Sequence, residues 1–198
     1  MNTAIAQVRV WDVPVRLFHW LLVTGFALAY LTAEVHLAVI HVWLGYALIA
    51  LLLFRVVWGF VGTPYARFRS FIFSVPETLV YVRSLRGGHP LHYYGHNPAG
   101  ALMVFALMGV LAAIFTSGLL ALAAIDFDGP LLFLANAVSD ETAYFLRRAH
   151  DWLVNVALLL IPLHLLGVLQ GSIRHQENLV RAMVTGRKKA VGEKSTGS

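Results

Sequence analysis

Four histidines stand out by position. His19, His41 and His164 lie inside long uncharged runs, and His150 lies at the edge of one. An ionisable side chain inside an apolar run of membrane length is costly and needs a partner or a task. Imidazole can bond between helices, relay protons or bind a metal, and the spacing bears on which. His150 and His164 are fourteen residues apart. That is just under four helical turns, so on one helix they face nearly the same way, about 21 Å apart along the axis. His19 enters the first run from one side, and His41 enters the second run from the other. Depth then pairs His41 with His150 and His19 with His164. The second match is imperfect: His19 lies two residues into its run, whereas His164 lies seven before the end of its own. Helix tilt can absorb that difference.

Each pair can ligate one iron from two sides, and a four-helix bundle core is a standard place for heme. Four histidines at two matched depths favour two stacked hemes over interhelical hydrogen bonds or a proton relay. The chain has no cysteine, which excludes disulfides, iron–sulfur ligation and the Cys-x-x-Cys-His attachment of c-type heme. Heme here is therefore expected as non-covalent b-type heme.

Other residues fit around these ligands. Arg55 lies fourteen residues after His41, so it faces a similar direction at the depth of the His19–His164 pair. The second and third runs hold no acidic side chain. Its partner is then a heme propionate, or else it snorkels to the headgroups. Arg147 and Arg148 either serve the other heme's propionates or sit on the surface. Gly45, one turn after His41, leaves room for a macrocycle. Gly25, Gly109, Gly118 and Gly167 give similar clearance or, preferably, close helix packing. Pro162 removes a helical hydrogen bond two residues before His164 and can aim that ligand.

The elements that must position these residues are membrane helices. Hydrophobic residues make up 59% of the 198 residues and charged residues only 13%, against roughly 25% charged in soluble proteins. Four runs have membrane length: Leu17–Ala33, Val35–Phe54 (extended past Arg55 to Phe60), Ala101–Ile125 and Trp152–Gly171. In lipid an open chain must satisfy its backbone within helices. The expected fold is an all-α integral membrane protein, a four-transmembrane-helix bundle. His19 and Trp20 in the first turn, and the length of the first run, argue against a cleaved signal peptide.

With the N-terminus inside, thirteen basic residues fall on the cytoplasmic side and only Arg147 and Arg148 on the other. This asymmetry places both termini in the cytoplasm. The net charge of +5 is a topology signal of this kind and not a nucleic-acid surface. Ser74–Arg86 reads as a short interfacial helix with Pro76 in its first turn. The segment Leu131–Val138 is too short to span and is placed at the outer surface. Residues 1–186 are expected to form one membrane domain, and 187–198 a disordered basic and polar tail. No internal repeat is visible.

Five stretches together resemble the bacterial cytochrome b561 family and the related b-type diheme subunits of nickel–iron hydrogenases and formate dehydrogenases. They are VWDVPVRLFHW at residues 10–20, HVWLGY at 41–46, RVVWGFVGT at 55–63, GHNPAG at 95–100 and the His150/His164 pair. The resemblance runs from residue 8 to 186. It implies two b hemes in a four-helix bundle, with His19, His41, His150 and His164 as ligands. It also implies electron exchange between a redox partner and quinone.

In the formate dehydrogenase relatives, quinone lies beside the cytoplasmic heme near an asparagine and a glycine. Asn97 and Gly100 match those positions, with His96 or Arg16 available to exchange protons. From its place before Pro98, Asn97 also reads as the N-cap of the third spanning helix. The two roles are compatible.

His36, His89, His92 and His175 fall outside the matched stretches. Of these only His36 rivals His41, and it lacks the following glycine. The expected function is transmembrane electron transfer at the bacterial inner membrane, between quinone and a periplasmic c-type cytochrome or a dehydrogenase or hydrogenase subunit. Membrane lipid is the surrounding partner, and the direction of flow is open. The rival functions are a self-sufficient superoxide-to-quinone oxidoreductase and a heme-free membrane anchor of a larger dehydrogenase complex.

Overall fold

The computed structural model describes residues 7–86, 93, 95–174 and 176–189. Its elements in chain order are β1 (Gln7–Arg9), α1 (Val13–Glu34), α2 (Ala38–Val61), α3 (Val75–Arg86), α4 (Pro98–Ile125), α5 (Asp140–Arg174), α6 (Leu179–Thr185) and β2 (Arg187–Lys189). Short 3-10 turns occupy Phe68–Ser70 and Leu132–Ala137. Four of the helices, α1, α2, α4 and α5, are long and apolar enough to cross a membrane. The chain is therefore a helical membrane bundle, as its composition predicts.

Local chemistry sets the helix boundaries. Asp12 caps α1, its carboxylate accepting from Val15 N at 2.8 Å, with Pro14 in the first turn. Asn97 caps α4 in the same way, accepting from Gly100 N at 2.7 Å, with Pro98 first in the helix. Such caps satisfy N–H groups that the helix leaves unpaired, and proline costs nothing at that position. The helix α3 opens with a reciprocal box between Ser74 and Glu77. These bonds hold the Glu77 carboxyl below the usual carboxylate range. Val75, Leu79, Val80 and Val82 on α3 are exposed, as an interfacial helix requires.

The spanning helices pack as two hairpins, α1 on α2 and α4 on α5, while α2 touches α4 only thinly. In lipid such packing depends on small residues that let backbones approach. Gly25 serves this purpose, because a Cβ there would stand 2.8 Å from a Leu48 methyl. Gly59 does the same for the Phe68 ring, which occupies the space a side chain would need. The outward faces carry exposed apolar residues such as Leu17, Val39, Phe60, Leu159 and Ile173.

Two expectations need correction. The fourth spanning helix is longer than the apolar run Trp152–Gly171: α5 begins at Asp140, so His150 lies well inside it. The charged side chains at 147, 148 and 151 end the apolar run but not the helix. Second, Arg187–Lys189 does not begin a disordered tail. It forms β2, antiparallel to β1, with Gln7 opposite Lys189 and Arg9 opposite Arg187. The α6 helix ends at Gly186 in the left-handed region (φ 80°), and its carbonyl accepts from Val10 N and Trp11 N. Lys188 is buried over the Trp11 ring and paired with Glu177 at 3.7 Å. Burial lowers its pKa despite that pairing. The partner strand lies at the other end of the chain, so nothing local in Arg-Lys-Lys announces it. Residues 190–198 lie outside the described residues, as do His89, His92 and His175.

Candidate heme-binding site

The structure brings His41 of α2 and His150 of α5 together. Their ring centres are 6.2 Å apart and the rings are nearly perpendicular, at 83°. Each ring is held from behind by a helix backbone. His41 Nδ1 is 2.9 Å from the carbonyl of Ala29, and His150 Nδ1 is 2.9 Å from that of Ile114. A carbonyl only accepts, so Nδ1 carries the proton in each ring and Nε2 keeps its lone pair. This arrangement orients metal-binding histidines and raises their basicity.

A simple geometric test supports heme. With a metal–imidazole bond of about 2 Å and roughly 1 Å from each nitrogen to its ring centre, two imidazoles that shared one iron would have ring centres up to roughly 6 Å apart. The observed separation matches.

Glycines shape the surroundings. At Gly118 a Cβ would stand 3.0 Å from both Cε1 and Nδ1 of His150. Gly118 therefore seats the histidine ring, a role more specific than the helix packing expected of it. Gly45, Gly109 and Gly167 face open space, where an added Cβ would meet no atom within 4 Å. His36 is exposed in the turn between α1 and α2, with φ 59°. Histidine is among the side chains that tolerate this left-handed conformation.

The other pair is less complete. His19 lies within electrostatic range of His164, but among the described residues no ring contact joins them. His19 packs edge-on against Trp20 at 5.1 Å, and its Nδ1 is buried without a hydrogen-bond partner. Arg55 is only 4% exposed, which is the opposite of snorkelling. Its guanidinium lies 4.9 Å over the Phe68 ring, and Nη1 is buried without a partner. Asp12 is near, but its carboxylate already accepts from Trp58 Nε1 at 2.9 Å and Thr63 Oγ1 at 2.7 Å. A buried N–H without an acceptor is expensive, so these atoms suit an anionic, acceptor-rich group such as a heme propionate.

His96 lies between Trp11 and Phe71, at 4.7 and 4.5 Å between ring centres, and its Nδ1 is also buried without a partner. Burial, then the nearby charges of Arg55, Lys188 and His164, hold its pKa down to about 3. Asn97 acts as a cap. Gly100 accommodates that cap, since a Cβ there would stand 3.2 Å from Asn97 Oδ1. Arg16 donates through Nη2 to the Val184 carbonyl, tying α1 to α6. Arg147 pairs with Asp151 at 3.7 Å on the exposed surface. Sequence reasoning missed the carbonyls of Ala29 and Ile114, because every helical residue offers one.

The chain matches the family described as prokaryotic cytochrome b561 over residues 10–186. Comparisons with curated proteins and with solved structures returned no match. The matched segment contains all four histidines and every spanning helix. The chain therefore belongs to the prokaryotic cytochrome b561 family, membrane-embedded proteins that transfer electrons through b-type heme.

Proposed function

We propose that the chain holds two b hemes, one between His41 and His150 and one between His19 and His164, and relays electrons between a periplasmic redox partner and quinone. The carrying observation is the His41–His150 pair, with ring centres 6.2 Å apart and each Nδ1 on a helix carbonyl. Heme, when bound, supplies a one-electron iron couple. The chain's own residues hold and orient it. His41 and His150 present lone pairs across a gap fitted to one metal. His19 and His164 do so at the end where β1 and β2 meet. Arg55 offers its buried guanidinium to a propionate there.

The basic residues support a topology with both termini cytoplasmic in a bacterial inner membrane. The His41–His150 heme then faces the periplasm, where a c-type cytochrome or a dehydrogenase or hydrogenase subunit exchanges electrons. Quinone fits the cytoplasmic end. There His96 offers its Nδ1 between two aromatic rings, next to Asn97 and about one turn from Gly100. With a pKa near 3, His96 is neutral at physiological pH and serves as a hydrogen-bonding group, not a proton store. Asn97 Oδ1 is engaged in the cap. Its amide nitrogen has two N–H groups to offer a carbonyl oxygen of quinone.

Pyridine hemochrome analysis of fully loaded protein should give two b hemes per chain. One heme per chain or fewer would defeat the two-heme assignment.

A further inference from the structure

The two carbonyls that hold the histidines have a second kind of neighbour in common. Thr32 Oγ1 lies 2.9 Å from the Ala29 carbonyl, the one that accepts from His41, and 2.9 Å from that of Leu28. Ser117 Oγ lies 3.0 Å from the Ile114 carbonyl, the one that accepts from His150, and 2.8 Å from that of Ala113. In both cases the hydroxyl is three residues after the carbonyl that carries the histidine. The arrangement arises independently on α1 and α4, which belong to different hairpins.

Hydroxyls in helices commonly bond back to the preceding turn, so the bond alone carries little. The rest of the same helices provides a contrast. Thr24 donates to Trp20 O at 2.9 Å and Thr116 to Ala112 O at 2.8 Å. Neither of those carbonyls holds a histidine among the described residues. Thr32 and Ser117 differ in reaching the carbonyl that does.

We infer that Thr32 and Ser117 are positioning residues that poise the redox potential of the heme between His41 and His150. The inference rests on His41 and His150 being ligands of one b heme. An oxygen that accepts from a hydroxyl has less electron density to offer a second donor. The imidazole N–H bond to it weakens, Nε2 becomes less basic, and ferric iron loses some of its stabilisation relative to ferrous iron. With heme bound, the electron would come from the redox partner or quinol of the proposed function, and no proton would move at the imidazole. Because each hydroxyl has a second carbonyl within reach, its pull on the histidine's carbonyl is partial.

Removing either hydroxyl should strengthen the histidine bond and lower the potential of that heme alone. The expected size is a roughly threefold fall in the ferrous-to-ferric ratio at a fixed ambient potential, or about 30 mV for a one-electron couple.

The test is a mediated redox titration of the full chain with Ser117→Ala, Thr32→Val and both together, beside Thr24→Val and Thr116→Val. Low-temperature EPR of the ferric hemes provides a second readout. We expect each single change to lower one heme's potential, the double change to lower it further, and the other heme to stay in place. Thr32→Ser, which keeps the hydroxyl, should restore the wild-type value. The Thr24 and Thr116 variants should match wild type.

An unmoved potential in both single variants, with two hemes and low-spin signals retained, would overturn the inference and leave the ligand assignment standing. Equal shifts in the Thr24 and Thr116 variants would overturn it too, as a general packing effect. If His41→Ala retains both hemes, the ligand assignment fails and the inference falls with it.

Discussion

The two ends of the bundle are built differently. At the His41–His150 end, backbone carbonyls already hold both Nδ1 atoms and Gly118 seats one ring. At the His19–His164 end, His19 Nδ1, Arg55 Nη1 and His96 Nδ1 are buried without partners. One site is preorganised by the helices themselves. The other has buried polar groups that no side chain or backbone group satisfies. The same four-helix frame thus carries one histidine pair held by helix backbones and, at its other end, a cluster of buried polar atoms left open. The contrast follows from where the helix backbones approach each other closely and where aromatic side chains fill the space instead.

The largest expected effect comes from deleting ligands at each end. His41→Ala should remove one heme and spare most of the other, and His164→Ala should do the reverse, as read by hemochrome content and redox titration. Loss of that heme on His36→Ala rather than His41→Ala would reassign the ligand.

The next effect separates the two kinds of glycine. Gly118→Ala pushes a methyl against the His150 ring, which its bond to Ile114 holds in place. It should cost about 1–3 kcal/mol of stability, as overpacking does, and alter the spectrum of the His41–His150 heme. Gly45→Ala meets no protein atom. It should leave the heme-free protein as stable or slightly more so, by about 0.5–1 kcal/mol, while lowering heme loading. Melting curves of the heme-free and loaded proteins distinguish the two.

Asn97→Leu probes the opposite end. Loss of the cap should cost about 0.5–2 kcal/mol. If Asn97 also bonds quinone, stopped-flow reduction of the hemes by quinol should slow while both heme spectra persist. Normal kinetics with a lowered melting temperature would leave Asn97 as a cap alone and place quinone elsewhere.

A further effect at this end concerns acid. His96 has a pKa of about 3 when folded, against an ordinary value of 6.5. The unfolded chain therefore binds more protons here between those values, and stability should fall as pH drops from about 6.5 toward 3. His96→Phe should reduce this acid sensitivity, seen as a flatter dependence of melting temperature on pH.

Much of this protein is legible in its sequence because lipid imposes simple demands. Four uncharged runs of membrane length dictate four helices, since a spanning backbone has no water to satisfy it. Asn97, directly before Pro98, announces the start of α4. The depth argument for His41 and His150 depends only on the rise of a helix, and the structure places those rings face to edge. His19 and His164 match less well by depth, and they are less closely joined in the fold. The start of α5 is hidden because charged side chains can lie on a helix beyond the hydrocarbon.

The amino-acid order by itself determined the spans, the cap of α4, the lack of any cysteine for covalent heme attachment and the depths at which the histidines lie. Each of these depends on residue type and local spacing alone. Only the tertiary structure decided which carbonyl holds each ring, that Gly118 seats His150, that Arg55 turns inward, and that Arg187–Lys189 pairs with the N-terminal strand. These depend on which surfaces meet, and the groups concerned are backbone atoms, missing side chains and distant strand partners, none of which leaves a pattern in the order of residues.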